Sequence, residues 1–214
     1  MPSLYGEVFG GRAIERDVLG GEGNKAMSFH KSETKHYEDY TRVLDFIESG
    51  IPRRYWRREP TPHIQCVGES FFSLLEIIVI KGIRVNIGER VYVGPGNRTK
   101  VTTILGRIAY EDLTRDARDN LPKVAEAIVR DNEPRFVSML NFFGLLTPRL
   151  HAFELLPGIG KTTTRKILEE REKMPFKSFE DFEKRIGITN LSRIITDRII
   201  EELSTQQKYR LLVR

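Results

Sequence analysis

The spacing of apolar residues changes along this chain, and each change marks a different kind of structure. Up to about residue 36 the chain is Gly-rich, with Gly6, Gly10, Gly11, Gly20, Gly21 and Gly23, and no period of 2 or 3.6 persists. Residues 1–36 are therefore expected to be a flexible leader, and Met27 near its end is a candidate start of translation. From Tyr37 to Tyr110 apolar and β-branched residues come in short runs punctuated by Gly and Pro. His63–Gly68, Phe71–Ile80, Arg90–Val93 and Lys100–Tyr110 read as strands, with a turn at Gly94-Pro95-Gly96-Asn97. Gly106 suits a bulge or a sharp bend. Tyr37–Ile47 reads two ways: Tyr40, Val43, Leu44 and Ile47 fit a helix, while its Tyr, Thr, Val, Phe and Ile content fits a strand. Counted as the first strand, it makes five strands without intervening helices, which predicts a small closed OB-like β-barrel over residues 37–112.

Beyond Asp112 the period becomes helical. Thr114 is a candidate N-cap, and Leu121-Pro122 is expected to break or kink the helix that follows. Glu133-Pro134 opens a second helix with Phe136, Val137, Leu140 and Phe143 on one face, ended by Gly144. Residues 113–147 thus form a helical bridge. Thr147-Pro148 has the form of an N-cap followed by Pro at the first helical position, predicting a helix up to Leu156. Pro157 ends it. Ser178 to Asp181 has capping-box-like spacing before another helix, and Ser192–Leu203 carries Ile194, Ile195, Ile199 and Ile200 for a last one. Lys208–Arg214 reads as a docking tail. The fold class is α+β: a five-stranded barrel, then an α-helical domain over residues 148–214.

Within that domain, Leu155-Leu156-Pro157-Gly158-Ile159-Gly160-Lys161 forms a tight turn ahead of the helix Thr162–Leu168. Gly158 and Gly160 permit positive φ and let the backbone approach an outside group. The helix opens with unpaired N–H groups and a positive dipole end, so a phosphate is its natural occupant. The segment resembles the helix-hairpin-helix motif, which holds DNA or RNA by the phosphate backbone. Gly160-Lys161-Thr162 also matches the end of a Walker A loop, but the glycine that loop needs five positions earlier is Leu155. The bland alternative is a hairpin that only packs two helices. A connector Pro175-Phe176-Lys177-Ser178-Phe179-Glu180-Asp181 resembles the link in tandem hairpin domains. The second hairpin, Gly187–Leu191, lacks the Pro-Gly-x-Gly signature and is expected to be degenerate.

Charge sharpens this picture. The net charge is +5, and residues 149–214 carry 14 Lys/Arg against 10 Asp/Glu, while residues 37–112 carry 11 against 10. Most of the excess sits with the hairpin, as phosphate binding requires. Arg53, Arg54, Tyr55, Trp56, Arg57 and Arg58 form a loop bracketed by Pro52 and Pro60. Arginines with aromatics suit single-stranded nucleic acid; equally, Tyr55 and Trp56 fold back on the barrel. The single cysteine, Cys66, excludes an intramolecular disulfide and reads as a core thiol. No run is long enough to cross a bilayer as a helix, and a cytoplasmic location is expected. Glu169-Glu170 and Glu201-Glu202 read as solvated helix faces.

Val43-Leu44-Asp45, Val67-Gly68-Glu69, Gly88–Gly94, Leu150-His151, Leu155–Lys161, Leu168–Lys173 and Ser178–Asp181 together resemble an archaeal family, domain of unknown function family 655, over residues 37–214. The resemblance implies a nucleic-acid-binding protein, often of RNA, with no established enzymatic activity. Asp181 lies at the distance from the hairpin at which helix-hairpin-helix glycosylases carry a catalytic aspartate, yet its capping position accounts for it. No catalytic triad or metal-ligand pair is legible. The expectation is a non-enzymatic binder of nucleic acid, RNA favoured and DNA possible, without cofactor or membrane. Gly158, Ile159, Gly160, Lys161, Thr162 and Arg165 would hold phosphate, and Arg53–Arg58 a strand. The rival reading is an interaction scaffold in a ribosomal or transcription complex.

Overall fold

The structure, a computed structural model, describes residues 36–52 and 59–214. The expected leader up to residue 35 and the Arg53–Arg58 loop lie outside the described residues. The ambiguous first segment is a strand, β1 (Tyr40–Gly50), followed by β2 (Thr61–Gly68), β3 (Leu74–Val79), β4 (Arg90–Tyr92) and β5 (Val101–Arg107). They form one antiparallel sheet in the order β4-β1-β2-β3-β5. The expected closed barrel is instead a curled half-barrel, with β4 and β5 as its two edges. Its curl is visible in the packing: Val91 on one edge strand and Val101 on the other share a core with Val43, Ile64, Cys66 and Ile77. Lys100 on the β5 side ion-pairs with Glu89 on the β4 side. Gly106, at φ 130, sits where the β3–β5 register slips, as the bulge expectation required.

Successive residues of a strand face opposite sides of its sheet. Here Val43, Cys66 and Leu75 line the inside of the curl, while Leu44, Val67 and Leu74 join the core made with the helices. Both faces are buried, which is why β3 is an unbroken apolar run apart from Glu76. Burial pushes the Cys66 thiol up to about 12, so it stays protonated and inert.

The helices are α1 (Arg115–Asp131), α2 (Glu133–Phe142), α3 (Lys161–Lys173), α4 (Phe179–Ile186) and α5 (Leu191–Ser204). Thr114 caps α1 by accepting the Ala117 N–H. Pro122 does not break α1, which runs on through it. An interior proline costs about 3 kcal/mol, whereas Leu121, Val124, Ala125, Ile128 and Val129 all bury on one stripe, each larger side chain worth about 1.5–3 kcal/mol. The expected helix from Thr147-Pro148 is absent. Leu145–Thr147 (β6) and Leu150–His151 (β7) pair as a two-stranded ribbon around Pro148, and only a short 3-10 turn, Ala152–Leu155, precedes the hairpin. The ribbon takes the backbone bonds that the first turn of a helix would have needed.

Buried carboxylates hold the irregular segments. Glu38 accepts the N–H groups of Ser70, Phe71 and Ser73 at 2.8, 2.9 and 3.2 Å. It fixes the β2–β3 turn, where Phe72 adopts φ 54 and points a fully buried ring toward Phe136, 6.3 Å away. Glu202, expected on a solvated face, is fully buried. Its carboxylate takes Arg198 at 2.8 Å and the amides of Leu211, Leu212 and Val213 at 2.7, 3.0 and 3.0 Å, docking the tail. Glu38→Ala and Glu202→Ala should each lower the unfolding free energy by about 3 kcal/mol, because several buried donors lose a charged acceptor. Urea denaturation measures it, and a loss below about 1 kcal/mol would show that water replaces the carboxylate.

Candidate nucleic-acid interface

Leu156, Ile159 and Ile167 are buried, and they seat the hairpin on the helical core beside Phe153 and Phe182. Leu156-Pro157-Gly158-Ile159 is a type II turn: Pro at the second position, Gly158 at φ 79 at the third, and Ile159 N–H bonded to the Leu156 carbonyl at 3.0 Å. This bond removes the Ile159 amide from the expected phosphate set. Gly160 follows in extended conformation, φ −95 and ψ −177, as the N-cap of α3. It therefore needs no positive φ. Its importance is space, since a Cβ there would meet no atom within 4 Å. The amides of Gly160, Lys161, Thr162 and Thr163 have no hydrogen-bond partner among the described residues, while Thr164 N–H closes the first helical turn on the Gly160 carbonyl at 2.9 Å.

The side chains of Lys161, Thr162 and Arg165 are exposed beside these amides. Lys161 and Arg165 lie four residues apart, hence on one face, and neither has an ion-pair or hydrogen-bond partner among the described residues. Other cations of this region are committed elsewhere. Lys166 donates to the Ile186 carbonyl at 2.6 Å, and Arg171 to those of Leu140 and Phe143 at 3.2 and 2.7 Å. A groove along the turn is lined by Pro157, Gly158 and Gly160 on one side and by Arg198, Glu201 and Gln207 on the other. Arg198 lies 3.1 Å from Glu201 and 2.8 Å from Glu202, so its one charge is shared between two carboxylates.

The second hairpin is built differently. Gly187, at φ 80, ends α4, and both its N–H and that of Ile188 reach the Glu183 carbonyl, at 2.8 and 3.2 Å. Asn190 leads into α5 at φ 58. There the Glu183 carboxylate accepts the Leu191 N–H at 2.7 Å. An internal anion thus stands at the start of α5. Nothing in the spacing of Glu183 announced this role. The Arg198–Glu202 pair, by contrast, had a legible i,i+4 signature. Asp181 donates its N–H to Ser178 Oγ at 3.0 Å, and its carboxylate accepts from Lys177 N–H at 3.0 Å and Arg185 at 3.3 Å. Lys173 pairs with Glu170 at 2.6 Å rather than with Glu169.

A half-barrel sheet joined to five helices, with a glycine turn leading into amides and neighbouring cations that have no partner among the described residues, defines an α+β protein. The chain belongs to the family described as protein of unknown function DUF655, whose model matches residues 37–214. An uncharacterized protein of Methanocaldococcus jannaschii is 42% identical over 178 residues, covering 83% of this chain and 80% of that protein. The crystal structure of Af1531 from Archaeoglobus fulgidus, of the same family, superposes with a TM-score of 0.74 at 43% identity. It covers 83% of this chain and 100% of that chain. Among the described residues no helix is long and apolar enough to cross a membrane, and no His, Cys, Asp and Glu cluster is arranged to hold a metal.

His151 makes the hairpin sensitive to pH. Its Nδ1 accepts the Phe153 N–H at 3.2 Å, which requires that nitrogen unprotonated. Burial, and then the Arg171 charge, hold its pKa below the ordinary histidine value. A depressed folded-state pKa contributes stability above the unfolded pKa of about 6.5, and loses it as pH falls toward the folded value. Exchange protection of the Phe153 and Ile159 amides should therefore decline below about pH 6.5. His151→Asn, which keeps a neutral acceptor, should flatten that decline.

Proposed function

We propose that this protein is a non-catalytic nucleic-acid-binding protein that grips the phosphate backbone at the Leu156–Lys161 turn. One observation carries the reading. In α1, α2 and α4 the first turn holds a carboxylate, from Asp116, Glu133, or Glu180 and Asp181, and α5 receives Glu183. The first turn of α3 holds none. It has Lys161 instead, which opposes the positive end of the helix dipole by about 0.3–1 kcal/mol, with Arg165 one turn further along the same face. A phosphate at the Gly160–Thr163 amides relieves that opposition and satisfies the unpaired donors.

On this reading the 3-10 arm, the turn and α3 form a helix-hairpin-helix with a shortened first arm, and α4 and α5 form its packing partner. The half-barrel is OB-like in its strand order, which is that of a partly open five-stranded barrel. It departs from that model in β5, which runs antiparallel to β3. Its edge offers a stacking surface: the Arg90 guanidinium lies 3.5 Å from the Tyr40 ring centroid, and the Tyr92 ring 5.2 Å from Tyr40. RNA is favoured over DNA on the family resemblance, and the setting is cytoplasmic. The scaffold reading draws on exposed Phe142 and Leu145, 77% and 69% accessible, which suit a protein partner.

Titration of fluorescent RNA and DNA oligonucleotides across a range of salt tests the proposal. Lys161→Ala should weaken binding and reduce the salt slope by about 0.7–0.9, one phosphate contact. Gly160→Val should abolish hairpin binding with the fold unchanged, because extended φ and open space accommodate its Cβ. Wild-type affinity and slope in both variants would remove the hairpin as the site.

A further inference from the structure

A second feature lies at the seam between the sheet and the helices. A cleft of about 330 Å³ opens between the β3–β5 edge and the end of α5. Three arginines line it: Arg107, Arg210 and Arg214. Arg107 spends one Nη on the His36 carbonyl at 2.6 Å. Arg210 is exposed and makes no ion pair or side-chain hydrogen bond among the described residues. Arg214 also lines the cleft, and its nearness adds to the desolvation that lowers the Arg135 pKa.

Two carboxylates reach the same walls. Glu202 is already met by Arg198 and three amides, which leaves Glu111. The C-terminal end of α5 adds roughly half a negative charge. The Arg107 and Arg210 guanidinium groups alone exceed that total, so the cleft is net positive. Its floor includes Ser73, 5% accessible, whose Oγ has no hydrogen-bond partner among the described residues. A buried, unpartnered hydroxyl costs folding free energy, and such a cost at a cleft wall points to a ligand that satisfies it. Tyr110, partly buried, flanks the floor.

We propose that this cleft binds a nucleoside phosphate, with Arg107 and Arg210 on the phosphate, the Ser73 hydroxyl donating to it, and Tyr110 beside the base. Small-molecule sites span roughly 300–1,000 Å³, and the cleft volume at the low end fits one nucleotide unit and not a longer stretch. That unit is either a free nucleotide or the phosphorylated end of a strand. The second source rests on the hairpin reading, and the geometry connects them. Glu201 and Gln207 line the hairpin groove while Glu202 to Gln206 line the cleft, so the end of α5 alone separates the two.

Calorimetric titration of the full chain with adenosine 5′-monophosphate, adenosine and inorganic phosphate reads the free-nucleotide arm. Anisotropy with 5′-phosphorylated and 5′-hydroxyl RNA of one sequence reads the strand arm. At least one phosphorylated ligand should bind, and Arg210→Ala and Ser73→Ala should each weaken it about tenfold, the loss of one charge-assisted contact. Ser73→Ala should at the same time melt no lower than the parent, since it removes an unsatisfied hydroxyl. A purely structural serine would show the reverse. Binding of the monophosphate alone assigns the free nucleotide, and a preference for 5′-phosphorylated RNA alone assigns the strand end. The share of monophosphate binding that Arg210→Ala removes belongs to the cleft and the share that Gly160→Val removes belongs to the hairpin, so failure of the hairpin and failure of the cleft are read separately. If neither phosphorylated ligand responds to Arg210→Ala or Ser73→Ala, the cleft is not a nucleotide site.

Discussion

The carboxylate of Glu38, gathering three backbone N–H groups of the β2–β3 turn, is the contact on which the two parts of the molecule depend. It holds Phe72 in a left-handed conformation that a bulky residue rarely adopts, and that conformation sends the ring into the helical core beside Phe136. Arg135 of α2 donates to the carbonyls of Glu69 and Ser70 in the same turn. The Glu69 side chain collects Arg42 of β1 and Arg90 of β4, and Arg214 N–H reaches the Phe71 carbonyl. Gly68 is required beside it, because a Cβ there would overlap the Glu38 carboxyl. Sheet, helices and tail meet at one turn whose amides a single buried carboxylate satisfies.

The same device recurs. Glu202 docks the tail, Glu183 caps α5, Glu133 accepts the Phe179 N–H at 2.6 Å to place α4, and Glu154 accepts the His151 N–H at 3.0 Å. Burying an unpaired amide is expensive, so a chain with many irregular joints needs many acceptors. Against this habit the start of α3 stands apart. Its amides are unpaired, Lys161 and Arg165 lie beside them, and no carboxylate among the described residues serves it. The two helix starts therefore differ electrostatically: α5 receives a carboxylate of the chain, and α3 receives none among the described residues.

The half-barrel has its own consequence. A sheet buried on both faces leaves little surface for binding except its edges and its seam with the helices. The Tyr40–Arg90–Tyr92 edge and the arginine-lined cleft lie in those places. The end of α5 borders both the cleft and the hairpin groove.

Much of this was legible without coordinates. Short apolar, β-branched runs and Gly punctuation mark the strands, Thr114 and Ser178 mark helix starts, and Pro157-Gly158 marks a tight turn, because each of these signals acts within a few residues. Local signals also misled where packing outweighed them. Pro122 lies inside a continuous helix because its apolar stripe is buried, and Thr147-Pro148 turns a ribbon and starts no helix because β6 and β7 found each other. The curl of the sheet, the burial of Glu202, the withdrawal of the Ile159 amide and the placement of Ser73, Arg107 and Arg210 along one cleft depend on residues far apart in the chain. Only the tertiary structure decides them, since whether a carboxylate or a hydroxyl is solvated or buried is set by what packs across from it, and spacing along one segment carries no record of that.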